Sequence, residues 1–499
     1  MKHIILAVIC AGTLFSSCAE SFLDQYPKGK WHSENMPENS QLKPEILVEA
    51  KIQEAYGKLR SWGAVWPYLA MNNYPTKESY KGSTQSDGGN DMLSFESMSY
   101  NPSNALIADF YSTCYSTIFS ANEAMGFIGE MELEENTDKN KVEKYKAEVT
   151  FIRSLMYYRL TQAFGGVPYI DKLLGKNEKS PARMNIDELR AKYIGDLEKV
   201  IDILPTRLDL ISSGNSGRAT KNAARAIIAK TYLYQKNWAQ AKKFALDIIN
   251  SGDNDLSTPF ELIFDEDKEF GPESVLEINC ELDHANKVYM DSPFGEVQGF
   301  RGVPDLGWGF NNPTEDLIKG FEDGDPRLNA TVLKDGDMID GYTLKADEQS
   351  KGMFNKKAYA KKSEYETKGR TQKDHGKWKN IRLIRYSDIL LVYAEACCEL
   401  NELPEALAKL EMVRNRARGG NTSVLPKRET SDQNELREFI RHERKVELAL
   451  EFERFYDLIR WGIAGNEIDN FVEGKHELYP IPQTEIDKGE GILVQNPGY

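Results

Sequence analysis

The sequence has 499 residues, of which 40% are hydrophobic and 28% are charged, as expected for a water-soluble globular protein with a large core. Its 63 Lys and Arg residues against 78 Asp and Glu residues give a formal net charge of −15. This balance, without a basic patch, argues against nucleic acid as a partner. No stretch after residue 17 reaches the roughly 18 apolar residues that a membrane helix needs.

Residues 1–17 predict a lipoprotein signal peptide. A short basic segment precedes an uncharged run from Ile4 to Phe15, and two serines lead to Cys18. In a bacterial lipoprotein signal, the cysteine that follows such a run is acylated and becomes the first residue of the mature chain. We therefore expect a lipid on Cys18 that anchors the protein to a membrane. A secreted protein cleaved near Ser17 is the alternative.

The other cysteines of the mature chain are predicted to be buried free thiols. Their spacing is scattered and the total with Cys18 is odd, which argues against a disulfide framework. No C-x-x-C or His-rich cluster suggests zinc, and we expect neither a metal nor a cofactor. The residues expected to act as small hydrophobic side chains are Cys114, Cys280, Cys397 and Cys398.

Over about 40–250 and 381–470, apolar residues recur at helical spacing and predict a mainly α-helical scaffold. Two segments align as copies of one helix hairpin. In each copy a small residue is followed three positions later by a second matched residue, and alanine comes nine positions after that. This spacing lets two antiparallel helices approach closely, as in tetratricopeptide-like repeats, and we expect about four such pairs. The matched positions are Ala229, Tyr232 and Ala241 in 226–249, and Ala394, Cys397 and Ala406 in 390–413. Further single helices are predicted at about 51–60, 105–131, 142–163, 186–203 and 434–461.

Two regions lack this spacing. Residues 251–380 are rich in Gly, Pro, Asp and aromatic residues, contain a strand-like piece at 275–278, and are predicted to form an irregular, loop-rich α/β subdomain on the helical scaffold. Residues 62–103 have a similar composition and are predicted to form an aromatic loop. Loops of this length are usually functional or disordered, and the aromatic content argues against disorder.

The C-terminal helix contains a candidate for catalysis. Glu443, Glu447 and Glu451 recur every four residues, and a glycosidase needs a pair of carboxyl groups. Nearby arginines would hold these acids ionised, the opposite of what a general acid needs, so we predict a structural ion network. The acids of 321–327 predict a turn with Asp–Arg pairing rather than a calcium site. The arginines in question are Arg444, Arg454 and Arg460.

Aromatic residues in the two irregular regions are the candidates for ligand contact. Flat rings beside amides and carboxylates can stack on the C–H faces of sugars, whose hydroxyls take hydrogen bonds. The aromatic residues are Trp62, Trp66, Tyr68, Tyr74 and Tyr80 in the first region, and Tyr289, Phe294, Phe300, Trp308 and Phe310 in the second. Burial as a loop anchor is the alternative for each. From composition and place in the chain, the predicted ligand-binding residues are Trp66, Tyr68, Tyr74, Trp308 and Phe310.

Eight short motifs, in order along nearly the whole chain, resemble those of the SusD/RagB family, the cell-surface lipoproteins of Bacteroidetes nutrient-uptake systems. Each motif is weak alone, but eight in the expected order are a strong resemblance. They are CAESFLDQYP (18–27), FYSTCYSTIFSANE (110–123), AEVTFIRSLMYYRLTQAFGGVPY (147–169), GRATKNAARAIIAKTYLY (217–234), FEDGDPR (321–327), IRLIRYSDILLVYAEA (381–396), RHERKVELALEFERFYDLIRW (441–461), and LYPIPQTEI with the terminal QNPGY (478–499).

The resemblance implies four tetratricopeptide-like helix pairs that carry a variable subdomain, and it implies no catalysis. It also implies a lipid-anchored protein of the outer membrane, facing the exterior, which captures oligosaccharides or polysaccharides and delivers them to a SusC-like TonB-dependent transporter. In relatives the ligand site is an aromatic arc in the variable region, so no motif fixes its residues here. Three other functions stay open: RagB-like capture of peptides, a surface glycoside hydrolase, and a purely structural scaffold.

Overall fold

The computed structural model describes residues 43–175, 178–348 and 352–499. The predicted signal peptide and Cys18 therefore lie outside the described residues. None of the helices within the described ranges is long and apolar enough to cross a membrane.

The first half of the described chain is mainly helical. Side chains at the starts of the longer helices explain where they begin: Asn104, Asp138 and Thr220 each accept hydrogen bonds from backbone N–H groups of the first turn. The helices are α1 Pro44–Leu59, α2 Trp62–Asn73, α3 Gly89–Glu96, α4 Ala105–Glu132, α5 Lys139–Phe164, α6 Ile186–Val200, α7 Arg207–Ser212, α8 Lys221–Tyr234 and α9 Trp238–Ser251, and strand β1 is Ser79–Gly82.

Short antiparallel strand pairs and short helices fill the region between α9 and the next long helix. The strand pairs are β1 with β6, β2 with β12, β3 with β4, β5 with β10, β7 with β11 and β8 with β9. The strands are β2 Ser274–Ile278, β3 Glu281–Asp283, β4 Val288–Met290, β5 Gly302–Val303, β6 Phe310–Pro313, β7 Val332–Lys334, β8 Met338–Ile339, β9 Tyr342–Thr343, β10 Lys345–Ala346, β11 Met353–Asn355 and β12 Ile381–Arg385. The helices are α10 Pro293–Gln298, α11 Glu315–Ile318, α12 Pro326–Thr331 and α13 Lys362–Tyr365.

The chain then returns to the helical scaffold. The remaining helices are α14 Tyr386–Glu399, α15 Leu403–Arg418, α16 Gln433–Glu447, α17 Arg454–Trp461, α18 Ala464–Glu467 and α19 Gln483–Lys488. Within the described residues, α1 packs on α4, α5 on α6, α8 on α9 and α14 on α15, and α9 packs on α14. The expectation of a mainly helical protein with four tetratricopeptide-like pairs is confirmed.

The matched positions of the two hairpins lie where their helices touch. Ala229 and Ala241 are fully buried in the α8–α9 pair, and Ala394 and Ala406 are fully buried in the α14–α15 pair. Small side chains at these positions allow close packing of the two helix axes. The repeat that the sequence predicts is therefore a packing repeat.

The structure corrects two predicted elements. Residues 62–103 are not one aromatic loop, because 62–73 and 89–96 are helical. The predicted helix at 434–461 is broken between Glu447 and Arg454, where Leu450 and Phe452 adopt positive φ angles of 65° and 71°. The left-handed backbone ends helical hydrogen bonding at this turn.

The cysteine prediction is confirmed for the described residues. Cys114, Cys280, Cys397 and Cys398 are free and buried. Burial raises the pKa of the Cys114 and Cys397 thiols to about 12, which leaves both protonated and unreactive at neutral pH.

The three acids of the C-terminal helix belong to a buried ion network, as predicted, but the partners differ from those expected. Glu447 lies 2.9 Å from Arg385 and 3.2 Å from Arg327. Although burial opposes the shift, neighbouring guanidinium groups hold the pKa of Glu447 well below its ordinary value. Arg444, Arg454 and Arg460 instead pair with acids elsewhere: Arg444 with Asp388 and Asp457, Arg454 with Glu467, and Arg460 with Glu395 and Asp457.

The FEDGDPR segment forms the predicted turn. Asp325 caps α12 by accepting hydrogen bonds from the backbone N–H and the Nε–H of Arg327. The Arg327 guanidinium then reaches Glu443 at 2.5 Å. The turn is therefore joined to α16 through the buried Arg327 side chain.

Candidate functional site

Helix α2 brings two tryptophans to the surface. Trp62 and Trp66 are four residues apart, so they lie on one face of the helix, with ring centroids separated by 5.6 Å. Gly63 faces α4, where a Cβ would overlap the Thr113 side chain. A residue without a side chain is therefore needed for α2 to lie this close to α4.

A third tryptophan from the irregular subdomain completes a cluster that we call the tryptophan platform, formed by Trp62, Trp66 and Trp308 over Phe310. Trp308 stacks on Trp62 with centroids 5.4 Å apart and planes at 27°, and it meets Trp66 edge-on at 6.0 Å. The Trp62 side chain is 47% exposed and that of Trp308 is 36% exposed. Large indole surfaces held in place and open to solvent are suited to stacking on a flat apolar ligand face.

Phe310 supports the platform from below. It is 3% exposed and meets Trp66 edge-on at 4.7 Å. Strand pairing holds it there, because β6 runs antiparallel to β1 with Phe310 opposite Gly82. The buried Lys81 ammonium lies 5.4 Å from the centre of the Phe310 ring. Phe310 thus fixes the ring above it and does not itself reach solvent.

The loop before β6 is held by backbone contacts that fix Trp308. Its N–H donates to the carbonyl of Glu296 in α10 at 2.8 Å. Gly309, which follows, has a φ of 72°, and a Cβ there would meet the Arg301 side chain. Arg301 donates to the Ser83 hydroxyl and pairs with Asp87 at 2.9 Å. The Ser83 hydroxyl, which donates to Asp87, is the main cause that lowers the pKa of this carboxyl to about 2.

A groove of about 430 Å³ adjoins the platform and shares Trp62 with it. We call it the charged groove, because its walls carry Arg60, Asp291, Glu296 and Lys377. The Lys377 ammonium lies 3.1 Å from the Glu296 carboxylate. Tyr289, 61% exposed, adds an aromatic wall. The groove offers both donors and acceptors beside aromatic rings, the combination that hydroxyl-rich ligands require.

The structure brings Trp66, Trp308 and Phe310 together but not Tyr68 or Tyr74. The Tyr68 ring packs between Phe110 and Phe452, and the Arg159 guanidinium lies over it, so this side chain points into the protein. Burial raises the pKa of Tyr68 to about 12. Tyr74 is 2% exposed in the core. Neither ring therefore belongs to the platform: the Tyr68 ring packs on the other side of α2, and the Tyr74 ring is buried in the core.

Two residues of the site are absent from the predicted set although both are aromatic residues of the irregular regions. Trp62 is the most exposed ring of the platform, and Tyr289 lies on the β3–β4 hairpin at the groove. The four-residue spacing of Trp62 and Trp66 places both rings on one face of a helix. This can be inferred from the sequence only when the segment is predicted to be helical. Nothing in the sequence pairs Tyr289 with residues more than 200 positions earlier.

One group of potential metal ligands occurs among the described residues, formed by Cys397, Glu402 and Glu405. The Lys242 ammonium pairs with both carboxylates, at 3.3 Å from Glu405. Tyr393 donates a hydrogen bond to Glu405 at 2.6 Å. These contacts account for the group as an ion-paired contact between α9 and the α14–α15 hairpin, and we assign no metal to it.

The chain therefore combines a scaffold of helical repeats with an exposed aromatic platform. It belongs to the class of helical-repeat proteins that present an aromatic surface. Two family models match it: "Starch-binding associating with outer membrane" over residues 22–233 and "SusD family" over residues 309–476. The chain belongs to the SusD-like family.

Curated relatives and solved structures agree with this assignment. SusD-like protein P2 of Formosa agariphila is 28% identical over 79% of this chain and 81% of its own length. A solved structure of a laminarin-binding SusD-like protein matches with a TM-score of 0.77 and 25% identity, over 92% of this chain and 100% of that one. The surface glycan-binding protein A of Bacteroides thetaiotaomicron, solved with laminarihexaose, shares the fold, with a TM-score of 0.74, 24% identity, and coverage of 90% and 98%.

Proposed function

We propose that this protein binds oligosaccharides or polysaccharides on the cell surface and delivers them to a SusC-like TonB-dependent transporter, without catalysis. The observation that carries the proposal is the tryptophan platform, where Trp62 and Trp308 expose indole surface next to a groove with donors and acceptors. Sugar rings present C–H faces to aromatic rings and hydroxyls to such polar groups. Similarity to a laminarin-binding protein supports the ligand class.

The location that we propose is the outer membrane, through a lipid on Cys18, with the body facing the exterior. A family description that refers to the outer membrane supports this location. A membrane anchor of this kind would keep a binding protein beside its transporter, since multiple acyl chains hold a protein at a bilayer stably.

The test uses the chain from residue 19 onward, produced without the lipid. We expect it to bind laminarin, or another member of a polysaccharide panel, in affinity gels and by calorimetry, and to release no reducing ends on long incubation. Peptide mixtures are included, because RagB-like peptide capture is the alternative. Binding of peptides with no binding of any glycan, or steady release of reducing sugar, would overturn the proposal.

The transporter partner needs a separate test in the native organism. We expect an affinity tag at the C-terminus to retrieve, from detergent-solubilised outer membranes, a large TonB-dependent barrel protein in near-stoichiometric amount. Recovery of the tagged protein alone from gently solubilised membranes would contradict the delivery step while leaving glycan binding intact.

A further inference from the structure

Four amide side chains form a buried chain behind the tryptophan platform. Asn73 Nδ2 donates to Asn311 Oδ1 at 3.3 Å, and Asn311 Nδ2 donates to Gln298 Oε1 at 2.8 Å. The same Gln298 oxygen accepts from Asn355 Nδ2 at 2.9 Å, while Gln298 Nε2 donates to the carbonyl of Phe294 at 3.0 Å. All four amide side chains are at most 3% exposed. Gln298 is the central member, because it accepts hydrogen bonds from both Asn311 and Asn355.

Three of the four amides lie on elements that carry or fix a ring of the platform. Asn73 ends α2, which bears Trp62 and Trp66. Asn311 follows Phe310 in β6 and lies three positions after Trp308. Gln298 ends α10, whose Glu296 carbonyl holds the Trp308 backbone. The amide chain therefore joins the helix that supplies two tryptophans to the loop that supplies the third.

At the centre of this chain, the backbone conformation of Asn311 favours an asparagine at this position. Asn311 adopts a φ of 57°, a left-handed conformation that side chains other than Asn, Asp and Gly rarely accept. A buried amide left without a partner costs about 1–3 kcal/mol, so each member constrains the next to one orientation. Apolar side chains of similar size would fill the same space but would not fix the angle between α2 and β6.

We propose that Gln298 is a positioning residue for the tryptophan platform, which it holds by setting the distance between α2 and the loop before β6. It does not touch the ligand surface, because it is fully buried. Its effect on glycan binding rests on the proposed function, but its effect on the stacking of Trp62 on Trp308 does not. Preorganised rings bind a ligand more tightly than rings that must first be ordered.

Two substitutions test the role. Gln298→Met keeps the approximate shape of the side chain and removes the acceptor oxygen. Asn311→Gly removes the amide between Asn73 and Gln298, and glycine accepts the positive φ without strain. Stacked indoles at 5.4 Å give an exciton-coupled circular dichroism band, which a Trp62→Phe variant identifies. In both variants we expect this band to weaken about twofold as the ring geometry becomes heterogeneous. Laminarin affinity is expected to fall about tenfold.

The matched control is Asn222→Ala, which removes a buried amide from the scaffold, where Asn222 donates to Ser251 and Asn254 at 2.9 Å. It is expected to lower stability and to leave both the coupled band and the affinity unchanged. An unchanged band in the folded Asn311→Gly or Gln298→Met protein, or an equal change in the control, overturns the proposal. If wild type binds no glycan, the proposed function fails, and the band alone still decides the positioning role.

Discussion

The indole rings of Trp62 and Trp308 stack with centroids 5.4 Å apart, although one begins α2 and the other precedes β6. The helical scaffold and the irregular subdomain therefore each supply one half of a single aromatic surface. Stacking covers part of each ring and holds both in place, and the remaining indole surface of each stays open to solvent. The predictions on binding follow from this pairing.

Removal of either indole is expected to weaken glycan binding strongly. For Trp62→Ala and Trp308→Ala we expect about a tenfold to hundredfold loss of laminarin affinity, as for exposed aromatic residues at the centre of a binding surface. Affinity gel electrophoresis and calorimetry measure it. Phe119→Ala is the control, since Phe119 is a 53% exposed aromatic residue on α4 outside the platform. Equal affinity in wild type and both tryptophan variants would remove the platform from the site.

The buried ion network is expected to be essential for stability. Arg385 lies 2.7 Å from Glu273, 2.9 Å from Glu447 and 2.6 Å from Glu451. Arg385→Met removes the guanidinium that these three buried carboxylates share, and we expect a loss of about 3–5 kcal/mol in the free energy of unfolding, measured in urea. Lys179→Met, which breaks an exposed pair with Glu490, serves as the control and should leave the unfolding midpoint unchanged. A small effect of Arg385→Met would show that the network repacks.

Two acids that share one lysine are expected to have pKa values shifted in opposite directions. Lys230 lies 2.5 Å from Asp388 and 2.7 Å from Glu453, within a buried cluster of four carboxylates and three cations that also includes Arg444, Asp457, Arg460 and Glu395. One carboxylate is thus in excess. Although burial opposes it, Lys230 and Arg444 hold the pKa of Asp388 well below its ordinary value. Burial, with Asp388 nearby, raises the pKa of Glu453 to about 7.

The pH dependence follows from these directions. Between the ordinary Glu pKa and about 7, the folded protein holds a proton on Glu453 that the unfolded chain has lost, so stability falls as pH rises through this window. In Glu453→Gln this part of the slope should vanish, and at pH 7.5 the variant should unfold at a midpoint close to that of wild type. Asp388→Asn, by contrast, should cost about 3–5 kcal/mol across neutral pH. Equal losses in both variants would contradict the assignment of the excess charge to Glu453.

Replacement of the proposed lipid site should release the protein from the membrane. In cells grown with labelled palmitate, we expect wild type to carry the label and Cys18→Ser to lack it and to leave the membrane fraction. Cys114→Ala is the control, because that thiol is buried and protonated. Label retained in Cys18→Ser would place the anchor elsewhere.

Most of the scaffold could be predicted because apolar residues recur at helical spacing along its longer helices. The bounds of α4 and α5 lie close to the predicted ranges, and the repeat positions lie at helix contacts. Helix α2 could not be recognised, since its sequence WGAVWPYLAMNN is apolar nearly all round and contains Pro67, which usually ends a helix. The interruption at Leu450 and Phe452 depends on tertiary contacts, such as the Leu450 N–H donating to Glu78.

Only part of the candidate site could be predicted from the sequence, and the reason is geometric. At 100° per residue, Trp62 and Trp66 share a face of α2, whereas Tyr68 points to the opposite side, so a loop interpretation could not separate them. Phe310 lies beside Trp66 but is buried beneath it, which composition alone does not indicate. The pairing of α2 with the loop before β6 is a long-range contact, and no local pattern in the sequence encodes it.

The antiparallel pairing of Ser79–Gly82 with Phe310–Pro313 has a consequence for engineering the protein. This short ribbon connects the two chain segments that supply the tryptophans, so neither segment presents the full aromatic surface without the other. A fragment that lacks either segment cannot present this surface, so fusions should carry both. Loss of glycan affinity would therefore also report incomplete folding, which makes a polysaccharide column a purification step selective for correctly assembled molecules.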